Sequence, residues 1–150
     1  MVSINFACLA AGLTLLGSTL MYSRPTHAAP EASAASRACI QRVLAEDDRL
    51  AQSRNHAPET APIDKAVRTY ADAIDVLDYT GCPAAFVAVF RAHVAAWRAT
   101  LPLLQRHAAR RGEMHVLFEA ISADPAGQDL PAYETVIWKT WAEVERAAQD

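Results

Sequence analysis

The chain has 150 residues, of which 52% are hydrophobic and 21% are charged, and its 14 basic and 17 acidic side chains give a net charge of -3. This length accommodates one ordinary domain with a modest core. The absence of a basic excess argues against a general nucleic-acid binder. The high apolar content argues against a disordered chain.

The first 28 residues have the features of a secretory signal peptide. An uncharged apolar run covers residues 4–20, and the small residues Thr26 and Ala28 follow it. We predict cleavage after Ala28, a single mature domain at residues 29–150 without a stable membrane span, and a periplasmic or secreted location. Because no Lys or Arg precedes the run, the alternative is an uncleaved N-terminal anchor that leaves the domain in the cytoplasm.

Cleavage would remove Cys8 and leave two cysteines, Cys39 and Cys82. In an oxidising compartment such a pair typically forms a disulfide. The bond would stabilise the fold by about 4 kcal/mol if it closes without strain. The alternative is two independent buried thiols, which a cytoplasmic location would favour.

Apolar residues recur at helical spacing along the mature chain, and no segment alternates convincingly as a strand. In the first predicted helix we expect Leu44 and Leu50 to face inward and Asp47 to face outward. Pro102 should kink the third helix, with helical structure continuing over residues 103–111. The predicted helices are residues 33–53, 62–79, 83–101, 113–123 and 131–148. The predicted fold is an all-α antiparallel bundle of four to five helices.

His93 lies at the centre of the apolar stripe of the third helix, between Phe90 and Trp97. A polar ring at this position needs a partner. One interpretation is a core histidine that is hydrogen-bonded within the bundle. The other is a metal or haem ligand, with Met114 as the second axial group. The chain carries no haem-attachment motif, and we expect no cofactor.

A second candidate metal site lies in the fourth predicted helix. His115 and Glu119 are four residues apart, so their side chains can approach one cation. The spacing alone is a weak signal, because the H-E-x-x-H pattern is absent and a third ligand, for example His107, must come from elsewhere. A solvated helix face is the favoured alternative.

The basic side chains of the third helix have two possible roles. Arg91 and Arg98 lie seven residues apart beside Trp97 and would form a strip for an anionic envelope partner. The favoured alternative is intramolecular pairing with the aspartates of the second helix, which occupy positions 64, 72, 75 and 78.

Trp138 lies about 100° from the centre of the last helix's apolar stripe and should be partly exposed, as a rim residue or as an anchor for a protein partner. The serines fit no nucleophile motif, no glycine-rich phosphate loop is present, and no carboxylate pair stands out as catalytic. We therefore expect an exported bundle that binds or scaffolds an unknown protein or anionic envelope partner. The alternative is a metal- or haem-binding bundle.

Overall fold

The computed structural model describes residues 34–149, which form an all-α bundle in which no strand occurs. The predicted signal peptide and its cleavage site lie outside the described residues. Five helices have nine or more residues, and a sixth has one turn: α1 Ala34–His56, α2 Ile63–Asp75, α3 Ala84–Ala99, α4 Leu101–Gln105, α5 Met114–Ser122 and α6 Leu130–Ala147. Short 3-10 turns lie at Ala57–Glu59 and Pro125–Gly127.

Helix α3 organises the core. It packs against α6 on one side and α2 on the other, and α2 in turn packs against α1. Phe86, Phe90 and Trp97 are buried along α3 because they share one helical face. Phe86 and Phe90 stack with ring centroids 5.6 Å apart. The predicted antiparallel helical bundle is confirmed.

A disulfide joins Cys39, in the second turn of α1, to Cys82, just before α3. The two Cα atoms are 5.1 Å apart, within the range that a disulfide spans. The predicted pairing is therefore confirmed. It ties the N-terminal end of α1 to the loop between α2 and α3.

Helix α2 ends earlier than its apolar spacing indicates. The helix stops at Asp75, yet Leu77 and Tyr79 pack against the core from the following loop. The Tyr79 hydroxyl donates to the carbonyl of Ile74 at 3.0 Å, so a side chain satisfies one of the carbonyls at the end of the helix. Gly81 then adopts φ +87°, a conformation that favours glycine.

Pro102 separates two helices where a kink was predicted. Helix α3 ends at Ala99, and Pro102 lies in the first turn of α4, where its missing N–H costs no hydrogen bond. Helix α4 ends at Gln105, so the prediction of helix over residues 103–111 is wrong beyond this point. The next backbone N–H groups, at 106 and 107, bond to carbonyls only three residues back. This is the tighter 3-10 pattern, and the α-helix ends there.

Candidate functional site

An open groove runs between helices α1 and α6, and we call it the α1–α6 groove. Residues spaced one helical turn apart line it from both sides, so it extends over about three turns, or roughly 16 Å. Its walls are Leu44, Asp47, Asp48, Ala51 and Arg54 on α1, and Glu134, Ile137, Trp138, Trp141 and Glu145 on α6. The middle of α1 faces the late part of α6, and the end of α1 faces the early part of α6, so the two helices run antiparallel along the groove.

The groove consists of two cavities of about 660 Å³ and 370 Å³. Four residues line both of them: Arg54, Trp97, Ile137 and Trp138. The larger cavity continues to the start of α5, where Met114 and Phe118 add apolar surface. Both volumes lie in the range of small-molecule binding sites, about 300–1,000 Å³.

Arg54 lies at the junction of the two cavities and is held by aromatic rings. Its guanidinium carbon is 3.7 Å from the ring centroid of Trp97 and 4.5 Å from that of Tyr70. At these distances the cation interacts favourably with the π-electrons of both rings. Burial lowers the pKa of Arg54, and the nearby Tyr70 and Asp47 oppose that shift.

Asp47 lies at the base of the smaller cavity, with only 5% of its surface exposed. Its carboxylate accepts a hydrogen bond of 2.6 Å from the Tyr70 hydroxyl. Burial raises the pKa of Asp47, while the hydrogen bond from Tyr70 and the charge of Arg54 act in the opposite direction. The expectation that Asp47 faces outward is wrong, because it occupies the inner face of α1 and has a buried partner.

His93 is buried beneath the groove, and both of its ring nitrogens have side-chain partners. The indole N–H of Trp97 donates to Nε2 at 3.1 Å, and Nδ1 lies 3.1 Å from the hydroxyl of Thr140. Because an indole nitrogen can only donate, Nε2 must carry a lone pair, and the proton of the neutral ring is on Nδ1. Burial lowers the pKa of His93 to about 4, with a further contribution from the charge of Arg54.

These bonds bear on the two interpretations of His93. Coordination of a metal through either ring nitrogen would require one hydrogen bond to break. Met114 lines the larger cavity, whereas His93 lines the smaller one, so the two residues share neither cavity. The surroundings are those of a core histidine that orients Trp97.

Carboxylates surround the groove. Glu113, Glu119 and Glu134 line the larger cavity, and Asp48 and Glu145 join Asp47 at the smaller one. Burial raises the pKa of Glu134. Apart from Arg54, the basic groups in the two linings are histidines, at positions 56, 93 and 115. The groove therefore combines an aromatic floor with an acidic rim.

The candidate metal ligands of α5 lie at the end of the larger cavity. His115 and Glu119 both line it, and the Nδ1 atom of His115 is 3.3 Å from a carboxylate oxygen of Glu113. His107, proposed as a third ligand, is buried after α4 and lines neither cavity. Within residues 34–149, a different trio has ligand atoms within 4.8 Å of one another: His56, Glu59 and Glu113.

The basic side chains of α3 have intramolecular partners. Arg98 pairs with Asp72 at 2.9 Å and with Asp75 at 2.5 Å, as the intramolecular alternative predicted. The guanidinium carbon of Arg91 is 5.7 Å from the Tyr79 ring centroid. Trp97, adjacent to Arg98 in sequence, is buried beneath the groove instead of accompanying the arginines at the surface.

Trp138 is 68% exposed, as its position on α6 indicated, and it lies in the wall between the two cavities. Sequence reasoning missed its companions Asp47, Arg54 and Tyr70. A signal was present in α1, because positions 39, 43, 47, 50 and 54 continue a single stripe at helical spacing.

Comparison with protein families, with curated protein sequences and with solved structures found no match to this chain. None of the helices between residues 34 and 149 has both the length and the apolar character needed to cross a membrane. The fold and site therefore define a disulfide-linked helical bundle with an open, aromatic-floored groove.

Proposed function

We propose that this is an exported binding protein that takes its ligand in the α1–α6 groove. The observation that carries the proposal is the exposed aromatic surface between two helices that do not close over it. Trp138 and the partly buried Trp141 lie along one wall. An exposed apolar patch bounded by polar residues typically marks a binding site.

The floor of the groove is suited to binding because its side chains already have partners. The hydrogen bond from Tyr70 holds Asp47, and His93 fixes the indole of Trp97. A rigid floor reduces the ordering cost that a ligand must overcome.

Export is supported by the predicted leader and by the cysteine pair. A disulfide between Cys39 and Cys82 persists in oxidising compartments and is rare in the cytosol. The test is mass spectrometry of protein isolated from its native compartment and alkylated without reductant. We expect a mature chain that begins at Ala29, with Cys39 and Cys82 protected from alkylation. A full-length chain with free thiols would overturn the proposal of export.

Groove binding is tested by native mass spectrometry and tryptophan fluorescence against a small-molecule library. Hits should weaken in Trp138→Ala and Trp141→Ala. The matched control is Val136→Ala, because Val136 is an exposed apolar residue of α6 that lines neither cavity. Ligands that bind all three variants as they bind the natural chain would place the site elsewhere.

The second candidate function is binding of a divalent metal at the end of the groove. It is favoured by the approach of His56 and Glu59, at the end of α1 and in the turn after it, to Glu113, which is distant in sequence and has His115 beside it. Imidazole and carboxylate are suitable zinc ligands. Calorimetric titration with Zn²⁺ should give one site that is lost in His56→Ala and Glu113→Gln and kept in Asp129→Asn. Equal binding by all three variants would eliminate this candidate.

A further inference from the structure

We propose that the ligand of the α1–α6 groove is an organic cation with an apolar body. This inference rests on the proposed function and adds the chemical class of the ligand. Three observations carry it: the sign of the charge around the groove, the aromatic surface left open, and the size of the cavities.

The charge of the groove favours a cation. Three carboxylate residues line the larger cavity and three line the smaller one, against the single guanidinium of Arg54. The carboxylates lie on α1, on α6, on α5 and at the residue just before α5, so they surround the groove on several sides. A cleft lined mainly by one sign of charge concentrates ligands of the opposite sign. An anionic ligand would meet repulsion along the rim.

The aromatic rings supply the second contact for a cation. Tyr70 and Trp97 already hold the guanidinium of Arg54 against their rings, so this floor accommodates a partly desolvated positive charge. Trp138 is the ring left open to a ligand, and it lies one helical turn from Glu134. A cation over the indole of Trp138 would gain attraction from the ring and from that carboxylate.

The cavity volumes favour a small molecule with an apolar part. The larger cavity, of about 660 Å³, has apolar walls at Phe118, Met114 and Ile137. A bare metal ion or an inorganic cation would leave these side chains unused. An apolar body in the larger cavity and a positive group at Trp138 would use both features.

The experiment compares three probes of equal length. They are a phenylalkyl-trimethylammonium ion, its uncharged isostere with carbon in place of nitrogen, and the corresponding phenylalkanoate. Binding to the disulfide-bonded chain is measured by tryptophan fluorescence and calorimetry at neutral pH, at low and high salt. We expect the ammonium ion to bind most tightly and the phenylalkanoate least. Among the three probes, added salt should weaken the binding of the ammonium ion alone, because salt screens its attraction to the rim carboxylates.

Single substitutions locate the charge. Glu134→Gln and Glu145→Gln should each weaken binding of the ammonium probe by about two- to fivefold at low salt. The matched control is Asp129→Asn, which also removes one negative charge but lies outside the groove, at an exposed position where the side chain caps no backbone group. Trp138→Leu should weaken the ammonium probe by about two- to fivefold more than it weakens the uncharged isostere.

The outcomes separate this inference from the proposed function. Equal affinity for the ammonium probe and its isostere overturns the cation assignment and leaves groove binding intact. Binding that is insensitive to Trp138→Leu and Trp141→Ala overturns both, because the probe then binds elsewhere. Failure of all three probes to bind also overturns the cation assignment, and the library screen then decides groove binding separately.

Discussion

The hydrogen bond between Tyr70 and Asp47 gives the sharpest test of the buried polar cluster. Tyr70→Phe removes one hydroxyl, keeps the ring beneath Arg54, and leaves the buried Asp47 carboxylate without its 2.6 Å donor. The substitution creates no cavity of consequence. Any loss of stability therefore reports on the missing hydrogen bond.

The loss should depend on pH. A hydrogen bond to a charged group contributes about 1.5–3 kcal/mol, and one between neutral groups about 1 kcal/mol. Above the folded pKa of Asp47, where the carboxyl is ionised, we expect Tyr70→Phe to lower the free energy of unfolding by about 1.5–3 kcal/mol. In acid, with Asp47 protonated, the loss should shrink to about 1 kcal/mol.

The sign follows from the pKa of Asp47. Burial raises this pKa above the ordinary aspartate value of 3.8, and the Tyr70 hydrogen bond restrains that rise. The folded state therefore holds the Asp47 proton more tightly than the unfolded state, so this group's contribution to stability is present below pH 3.8 and is lost as pH rises through the folded pKa. Without the Tyr70 hydroxyl the pKa of Asp47 in the folded state rises further, so the loss of stability with rising pH extends over a wider pH range.

The assay is urea unfolding of both proteins between acid and neutral pH, with Tyr79→Phe as the control. The Tyr79 hydroxyl donates to an uncharged carbonyl, so its removal should cost about 0.5–1.5 kcal/mol with no comparable pH dependence. If Tyr70→Phe were as stable as the natural chain, or lost the same free energy at every pH, the assignment of a buried ionised Asp47 would be refuted.

Three further predictions concern stability, each measured by urea unfolding. The pKa of His93 is lowered to about 4, so the free energy of unfolding should fall as pH drops from about 6.5 toward 4. His93→Gln should lack this part of the loss, and a variant with the same pH dependence of stability as the natural chain would contradict the prediction. Replacing Cys39 and Cys82 by Ala should cost about 4 kcal/mol, and a negligible cost would argue against the entropic account. Gly127→Ala should cost more than about 2 kcal/mol, because its Cβ would overlap the backbone carbonyl of Ile121, whereas Ala126→Gly should not show this clash.

Much of the fold could be predicted because it depends on local pattern. The apolar stripe through Phe86, Phe90 and Trp97 fixes the buried face of α3, and the two cysteines that lie outside the predicted leader allow one pairing. Helix ends were less predictable. Leu77 continues the spacing of α2 from outside the helix, because a residue can keep its place in the core after the backbone has left helical geometry.

The buried polar cluster escaped prediction because residue type was given more weight than position. Asp47 and Arg54 continue the stripe that Cys39 and Val43 begin on α1, yet charged residues are rarely buried without partners. Their partners come from α2 and α3, far away in sequence. Only the tertiary arrangement brings a tyrosine hydroxyl to the aspartate and two aromatic rings to the arginine.

The same residues explain why α1 and α6 remain apart. Closing the groove would remove the guanidinium of Arg54 and the carboxylates of Asp48 and Glu145 from water, and desolvating a charge without a matched partner costs several kcal/mol. Asp48 and Glu145 carry like charges, so closure would also increase their repulsion. Apolar burial of Trp138 and Trp141 favours closure, and the desolvation of the charged groups and the repulsion between the two carboxylates oppose it. Polar residues at the facing positions of α1 and α6 therefore stabilise an open groove, and a ligand of opposite charge would remove the main obstacle to covering the aromatic floor.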